Sequence, residues 1–119
     1  MARILLAEDD SSLRRFLTRA LQRAGHEVAA VGRGSAALPL LNQDPYDLLL
    51  TDIVMPGMDG IELAEEASKI VPGMRVMFIT GFAAVALNRK DESLTGVKVL
   101  SKPFHLRDLV EEIDRVLAA

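Results

Sequence analysis

The chain has no cysteine. Disulfides and thiolate metal sites are thereby excluded, and the redox compartment leaves no mark on the sequence. No apolar run approaches the length of a membrane span. Met1-Ala2-Arg3 leads straight into Ile4-Leu5-Leu6, too short for the apolar region of a signal peptide. The expectation is a cytoplasmic protein with no membrane contact. An excess of positive charge is missing too. The 14 Lys and Arg against 17 Asp and Glu leave a formal charge of -3, which disfavours unspecific binding to nucleic acid or anionic lipid. Internal repeats, low-complexity tracts and linkers are absent. The first apolar run is followed by "AEDDSS" and not by a glycine-rich turn, so the phosphate cradle of mononucleotide-binding folds is absent as well.

What is present fits one domain spanning 1–119, half hydrophobic and 26% charged. Short apolar runs of strand length occur at Arg3 to Ala7, Val28 to Val31, Leu48 to Thr51, Val76 to Thr80 and Val97 to Leu100. Helical spacing lies between them. Leu13, Phe16, Leu17, Ala20, Leu21 and Ala24 form one stripe, with Arg14, Arg15, Arg19 and Arg23 off it on what reads as a solvated face. Ala36 to Gln43 reads as a second helix if Ser35 caps it, which puts Pro39 in or near the first turn. Glu62 to Val71 gives a third, and Leu106, Leu109, Val110, Ile113 and Leu117 a last. Strands apolar throughout and separated by helices predict an α/β fold, a doubly wound parallel sheet of five βα units with helices on both faces.

In such a sheet ligands bind beyond the carboxyl ends of the strands, where strand order reverses. Glu8, Asp9 and Asp10 follow the first strand, Asp52 ends the third, Thr80 ends the fourth, and Ser101-Lys102-Pro103 follow the fifth. Each signal alone has an ordinary reading. An acidic pair is often a solvated turn, with Asp10 or Ser11 capping the next helix, and a lysine is usually a surface residue. Together on one rim they describe metal-assisted phosphoryl chemistry. Glu8, Asp9 and Asp52 crowded together repel one another unless a cation joins them or some protonate. Oxygen ligands without thiolate select Mg²⁺ or Mn²⁺. Asp52 would attack as the nucleophile, Lys102 would supply a point charge, and the Thr80 hydroxyl a hydrogen bond.

The order Glu8-Asp9, Asp52 followed by "MPGMDG", Thr80-Gly81 and Lys102-Pro103-Phe104 resembles the receiver domain of two-component response regulators over the whole chain. The resemblance implies a (βα)5 fold with strand order 2-1-3-4-5 and Asp52 as phosphoacceptor from a histidine kinase or histidine phosphotransferase. It also implies Mg²⁺ held by Asp9 directly, by Glu8 through water, by Asp52 and by the carbonyl of Val54, with a cis Lys102-Pro103 bond. Such a chain is no enzyme beyond its own phosphorylation and dephosphorylation. Two positions depart from the pattern. Glu8 stands where aspartate is commoner, and Val99 where many receivers carry the aromatic of the usual switch.

Output is expected through a protein contact or a passed-on phosphoryl group, since the chain carries no recognition helix for DNA. Phe82 to Leu87 is the candidate contact surface. The stretches "ARILLAEDD", "LLLTDIVMPGMDGIELA", "RVMFITGFAAVALN" and "VLSKPFHLRDLV" are similar to the CpdR-like regulators of alphaproteobacteria. That implies an adaptor engaging the ClpX unfoldase of ClpXP while unphosphorylated and delivering protease substrates. Leu117-Ala118-Ala119 resembles the tags that ClpXP itself engages. A phosphorelay shuttle is the alternative. An Mg²⁺-dependent aspartyl-phosphate hydrolase is disfavoured, because such enzymes want a second carboxylate where this chain has Val54.

Overall fold

The computed structural model describes residues 2–80, 98–102 and 104–118. Along them run β1 (Arg3–Ala7), α1 (Ser11–Arg23), β2 (Glu27–Val31), α2 (Gly34–Gln43), β3 (Leu48–Asp52), α3 (Gly60–Ile70), β4 (Arg75–Thr80), β5 (Lys98–Ser101) and α4 (Leu106–Ala118). The strands form one sheet in the order β2-β1-β3-β4-β5, and every pairing is parallel. The expected α/β architecture and strand order both hold. Polar residues lengthen several strands past their apolar runs, among them Glu27, Arg75 and Asp52. Val97, the apolar stretch Phe82 to Leu87 and the Lys102-Pro103 bond lie outside the described residues.

Alternation along the strands builds two cores, because successive side chains point to opposite faces. Ile4, Leu6, Leu48, Leu50, Met77 and Ile79 meet Leu17 and Leu21 of α1 and Leu109 and Ile113 of α4. On the other face Leu5, Ala7 and Leu49 meet Ala37 and Leu41 of α2 and Leu63 and Ala67 of α3. A third group, Ile53, Ile61, Ala64 and Phe78, extends that second face under α3. Each fully buried Leu or Ile contributes about 1.5–3 kcal/mol. With both faces covered, β3 is buried along its whole length. Among the described residues no helix is long and apolar enough to cross a membrane.

Helix ends follow local chemistry. Asp10 caps α1, its side chain accepting from the Leu13 amide at 2.9 Å. At the other end Gly25 takes φ 97°, and the His26 and Gly25 amides donate to Leu21 and Gln22, a Schellman closure. Asp59 and Glu62 form a reciprocal capping box on α3.

Two local expectations are corrected. The helical spacing puts Phe16 on the apolar stripe of α1, but it is 55% exposed, while Leu17, Ala20 and Leu21 are buried. One helical step of about 100° turns Phe16 away from the sheet when Leu17 faces it. Ser35 does not cap α2. Arg33 holds that position without a side-chain cap, and the helix starts at Gly34, packed against Met58. Pro39 therefore lies past the first turn, where its ring removes a helical hydrogen bond on the exposed side.

Candidate functional site

Four strand ends converge at the carboxyl edge of the sheet. Glu8 and Asp9 leave β1, Asp52 ends β3, Thr80 ends β4, and Lys102 follows β5. The chain goes from β1 outward to β2 and returns to β3 on the other side, so the acidic residues sit where strand order reverses. Glu8, Asp52 and Thr80 are buried; Asp9 is exposed.

Lys102 Nζ lies between the two buried carboxylates, donating to Asp52 Oδ2 at 2.9 Å and to Glu8 Oε1 at 3.1 Å. Each carboxylate has a second donor. Glu8 Oε2 accepts from the Asp10 amide at 3.1 Å, and Asp52 Oδ1 from the Val54 amide at 3.2 Å. The Lys102 amide in turn donates to the Thr80 carbonyl at 2.7 Å, which fixes the turn after β5 to the end of β4.

Burial sets the electrostatics. It pushes the Glu8 carboxyl up to about 7, and the nearby Asp52 charge adds to the rise against the opposing pull of the Asp10 amide and Lys102. Burial alone would lower Lys102, but its hydrogen bonds to Asp52 and Glu8 outweigh that and leave the ammonium above its ordinary value. Glu8, Asp9 and Asp52 each bring one carboxylate oxygen within 4.8 Å of the others, an all-oxygen donor set that suits a hard divalent cation.

Glu8, Asp9, Asp52 and Lys102, placed on one rim from sequence, are thus brought together. Thr80 is buried at the end of β4, paired in register with Ser101. Val54 sits in the turn after Asp52 and is 46% exposed. Val99 packs against the group around Phe78, as an ordinary strand residue does.

Two further residues shape the site. Gly60 begins α3 against the backbone of Asp52, where a Cβ would fall 2.0 Å from the Asp52 carbonyl oxygen. Only glycine permits that approach, and the Asp59-Gly60 pair behind Asp52 was its one trace in the sequence. Arg14, read as part of a solvated face, instead donates from Nη1 to the Glu8 carbonyl at 2.7 Å.

A family model for the response regulator receiver domain matches residues 4–114. The chain is 59% identical over 119 residues to the response regulator receiver protein CpdR of Brucella abortus (strain 2308), covering 100% of this chain and 99% of that protein. The receiver domain of the hybrid histidine kinase CckA has a similar structure, with TM-score 0.82 and 33% identity over 97% of this chain and 98% of that one. So does the response regulator protein TrrA from Thermotoga maritima, solved in complex with Mg(2+)-BeF, with TM-score 0.85 and 30% identity over 98% of this chain and 99% of that one.

Proposed function

This chain belongs to the response regulator receiver domain family, and from that premise we propose that Asp52 accepts a phosphoryl group that gates a protein contact. The observation that carries the reading is the buried Asp52 carboxylate, held 2.9 Å from Lys102 with Glu8 and Asp9 beside it. A carboxylate oxygen of Asp52 attacks phosphorus in line. The bond to the donor's imidazole nitrogen breaks, and the imidazole leaves with the electron pair. Lys102 receives one phosphoryl oxygen as a point charge, and the Thr80 hydroxyl donates to another.

Glu8, Asp9, Asp52 and the carbonyl of Val54 would hold Mg²⁺, or Mn²⁺ in its place. When bound, that ion supplies neutralising charge for the phosphoryl oxygens. The Mg(2+)-BeF complex of TrrA supports this reading. The donor is a histidine kinase or a histidine phosphotransferase. The chain, read as one receiver domain over 1–119, catalyses only its own phosphorylation and dephosphorylation. Likeness to CpdR supports an adaptor that engages ClpX and delivers substrates to ClpXP while Asp52 is unmodified.

Acetyl phosphate with Mg²⁺ tests the chemistry. Asp52 should gain one acid-stable, base-labile acyl phosphate, and Asp52→Asn should gain none. Phosphate on the Asp52→Asn protein would mean that another residue is the acceptor. Binding to purified ClpX, compared with and without acetyl phosphate, tests the output. Equal binding in both states would remove the proposed switch.

A further inference from the structure

The backbone of Glu8 is gripped from two sides. Its amide donates to the Val31 carbonyl at the end of β2 at 3.1 Å, and its carbonyl accepts from Arg14 Nη1 at 2.7 Å. The Arg14 guanidinium reaches that carbonyl by passing over Gly32, in the turn between β2 and α2. A Cβ built on Gly32 would meet Arg14 Nη1 at 3.0 Å, Cζ at 3.5 Å and Nη2 at 3.9 Å, and these are its three nearest neighbours. Among the described residues Arg14 makes no ion pair with a carboxylate.

We infer that Arg14 is a positioning residue for the metal-binding turn Glu8–Asp10, and that bare Gly32 leaves its guanidinium uncrowded there. A guanidinium on a carbonyl is a charge-assisted hydrogen bond. Here it orients the peptide joining Glu8 to Asp9, and with it the directions in which both carboxylates leave the chain. The Asp10 amide, which donates to Glu8 Oε2, belongs to the same turn. Arg14 also brings positive charge to an acidic turn without taking a carboxylate oxygen from an incoming cation. Lys102 does take such oxygens, so the two cations have different effects. The inference rests on the proposed function, since it concerns the same metal.

Arg14→Met keeps the apolar stem and removes the donor, while Gly32→Ala leaves Arg14 intact and crowds its guanidinium, which must give by a few tenths of an ångström. Both are measured in the full chain by Mg²⁺ titration calorimetry, and by amide NMR of residues 8 to 10 without metal. Arg14→Met should weaken Mg²⁺ binding about tenfold, the lower end of the loss seen when outer partners of metal ligands are removed. It should also move the three amides. Gly32→Ala should give a smaller loss and displace the same amides. Arg14→Lys should recover part of the affinity. Because both substitutions act on one contact, Gly32→Ala should add nothing on top of Arg14→Met. Unchanged Mg²⁺ affinity in Arg14→Met overturns the inference while leaving the proposed function standing, and so does an undiminished effect of Gly32→Ala in that background. Failure of the unsubstituted chain to take up Mg²⁺ would overturn the proposed function and this inference with it.

Discussion

Glu8 and Lys102 stand 94 positions apart in the chain, yet Glu8 Oε1 and Lys102 Nζ meet at 3.1 Å. The same ammonium is bonded to Asp52. All four oxygens of the two buried carboxylates are thereby engaged, two by backbone amides and two by one lysine. The resting site carries its own cation. In the proposed function a metal ion arriving from solvent would meet exposed Asp9 first and would then have to take oxygens that Lys102 holds.

Lys102→Met should therefore bind Mg²⁺ more tightly than the unsubstituted chain. Loss of a competing charged hydrogen bond of about 1.5 kcal/mol corresponds to about a tenfold gain. Titration calorimetry measures it directly. Equal affinity would show that the lysine leaves its carboxylates at no cost.

The raised Glu8 carboxyl makes the metal-free fold sensitive to pH. Its value of about 7 lies above the ordinary 4.5, so the folded state holds this proton more tightly than the unfolded chain does. The associated stability is fully present below pH 4.5 and is lost as pH rises toward 7. Thermal unfolding with a chelator should show Tm falling across that window, and Glu8→Gln should flatten this part of the profile. An unchanged slope in Glu8→Gln would assign the effect to other groups.

Two glycines near Asp52 should respond differently to alanine. At Gly60 the new Cβ collides with the Asp52 carbonyl oxygen, and forcing atoms into packed space costs about 1–3 kcal/mol. Because the collision is with Asp52 itself, phosphorylation by acetyl phosphate should slow as well. At Gly57 the space is open but φ is +74°, so Gly57→Ala should cost only the left-handed strain of about 1–2 kcal/mol and leave phosphorylation intact. Equal phosphorylation in the two variants would show that Asp52 tolerates a shifted α3.

The neighbours Phe16 and Leu17 separate surface from core on α1. Leu17→Ala should destabilise by about 2–5 kcal/mol as a buried truncation, whereas Phe16→Ala should stay within about 0.5 kcal/mol. Urea unfolding distinguishes them, and similar losses would mean that Phe16 is covered after all.

The central strands were legible because parallel strands buried on both faces read as continuous apolar runs, as Ile4-Leu5-Leu6 and Leu48-Leu49-Leu50 do. The rim was legible for the same reason: counting to the end of each run brings Glu8, Asp9, Asp52 and Lys102 to one edge. Finer placement escaped where tertiary packing decides it. Phe16 and Leu17 are equally apolar, and only the rotation of α1 on the sheet tells them apart. The start of α2 depends on Gly34 meeting Met58, a contact between segments distant in the chain. The bond from Arg14 to a backbone carbonyl leaves no trace in side-chain spacing, so Arg14 looked like its neighbours Arg15 and Arg19.

The helix without a side-chain cap and with a proline past its first turn bears on how the molecule gives way under load. α2 forgoes a terminal hydrogen bond worth about 1 kcal/mol and loses an internal one at Pro39. It packs beside β2, which lies at the rim of the sheet and has a neighbour on one side only. Local opening is cheapest where terminal and interior bonds are both missing and the sheet ends. Among the described residues, a machine that pulls this chain apart would meet less resistance along the β2–α2 margin than at β3, the buried central strand that ends in Asp52.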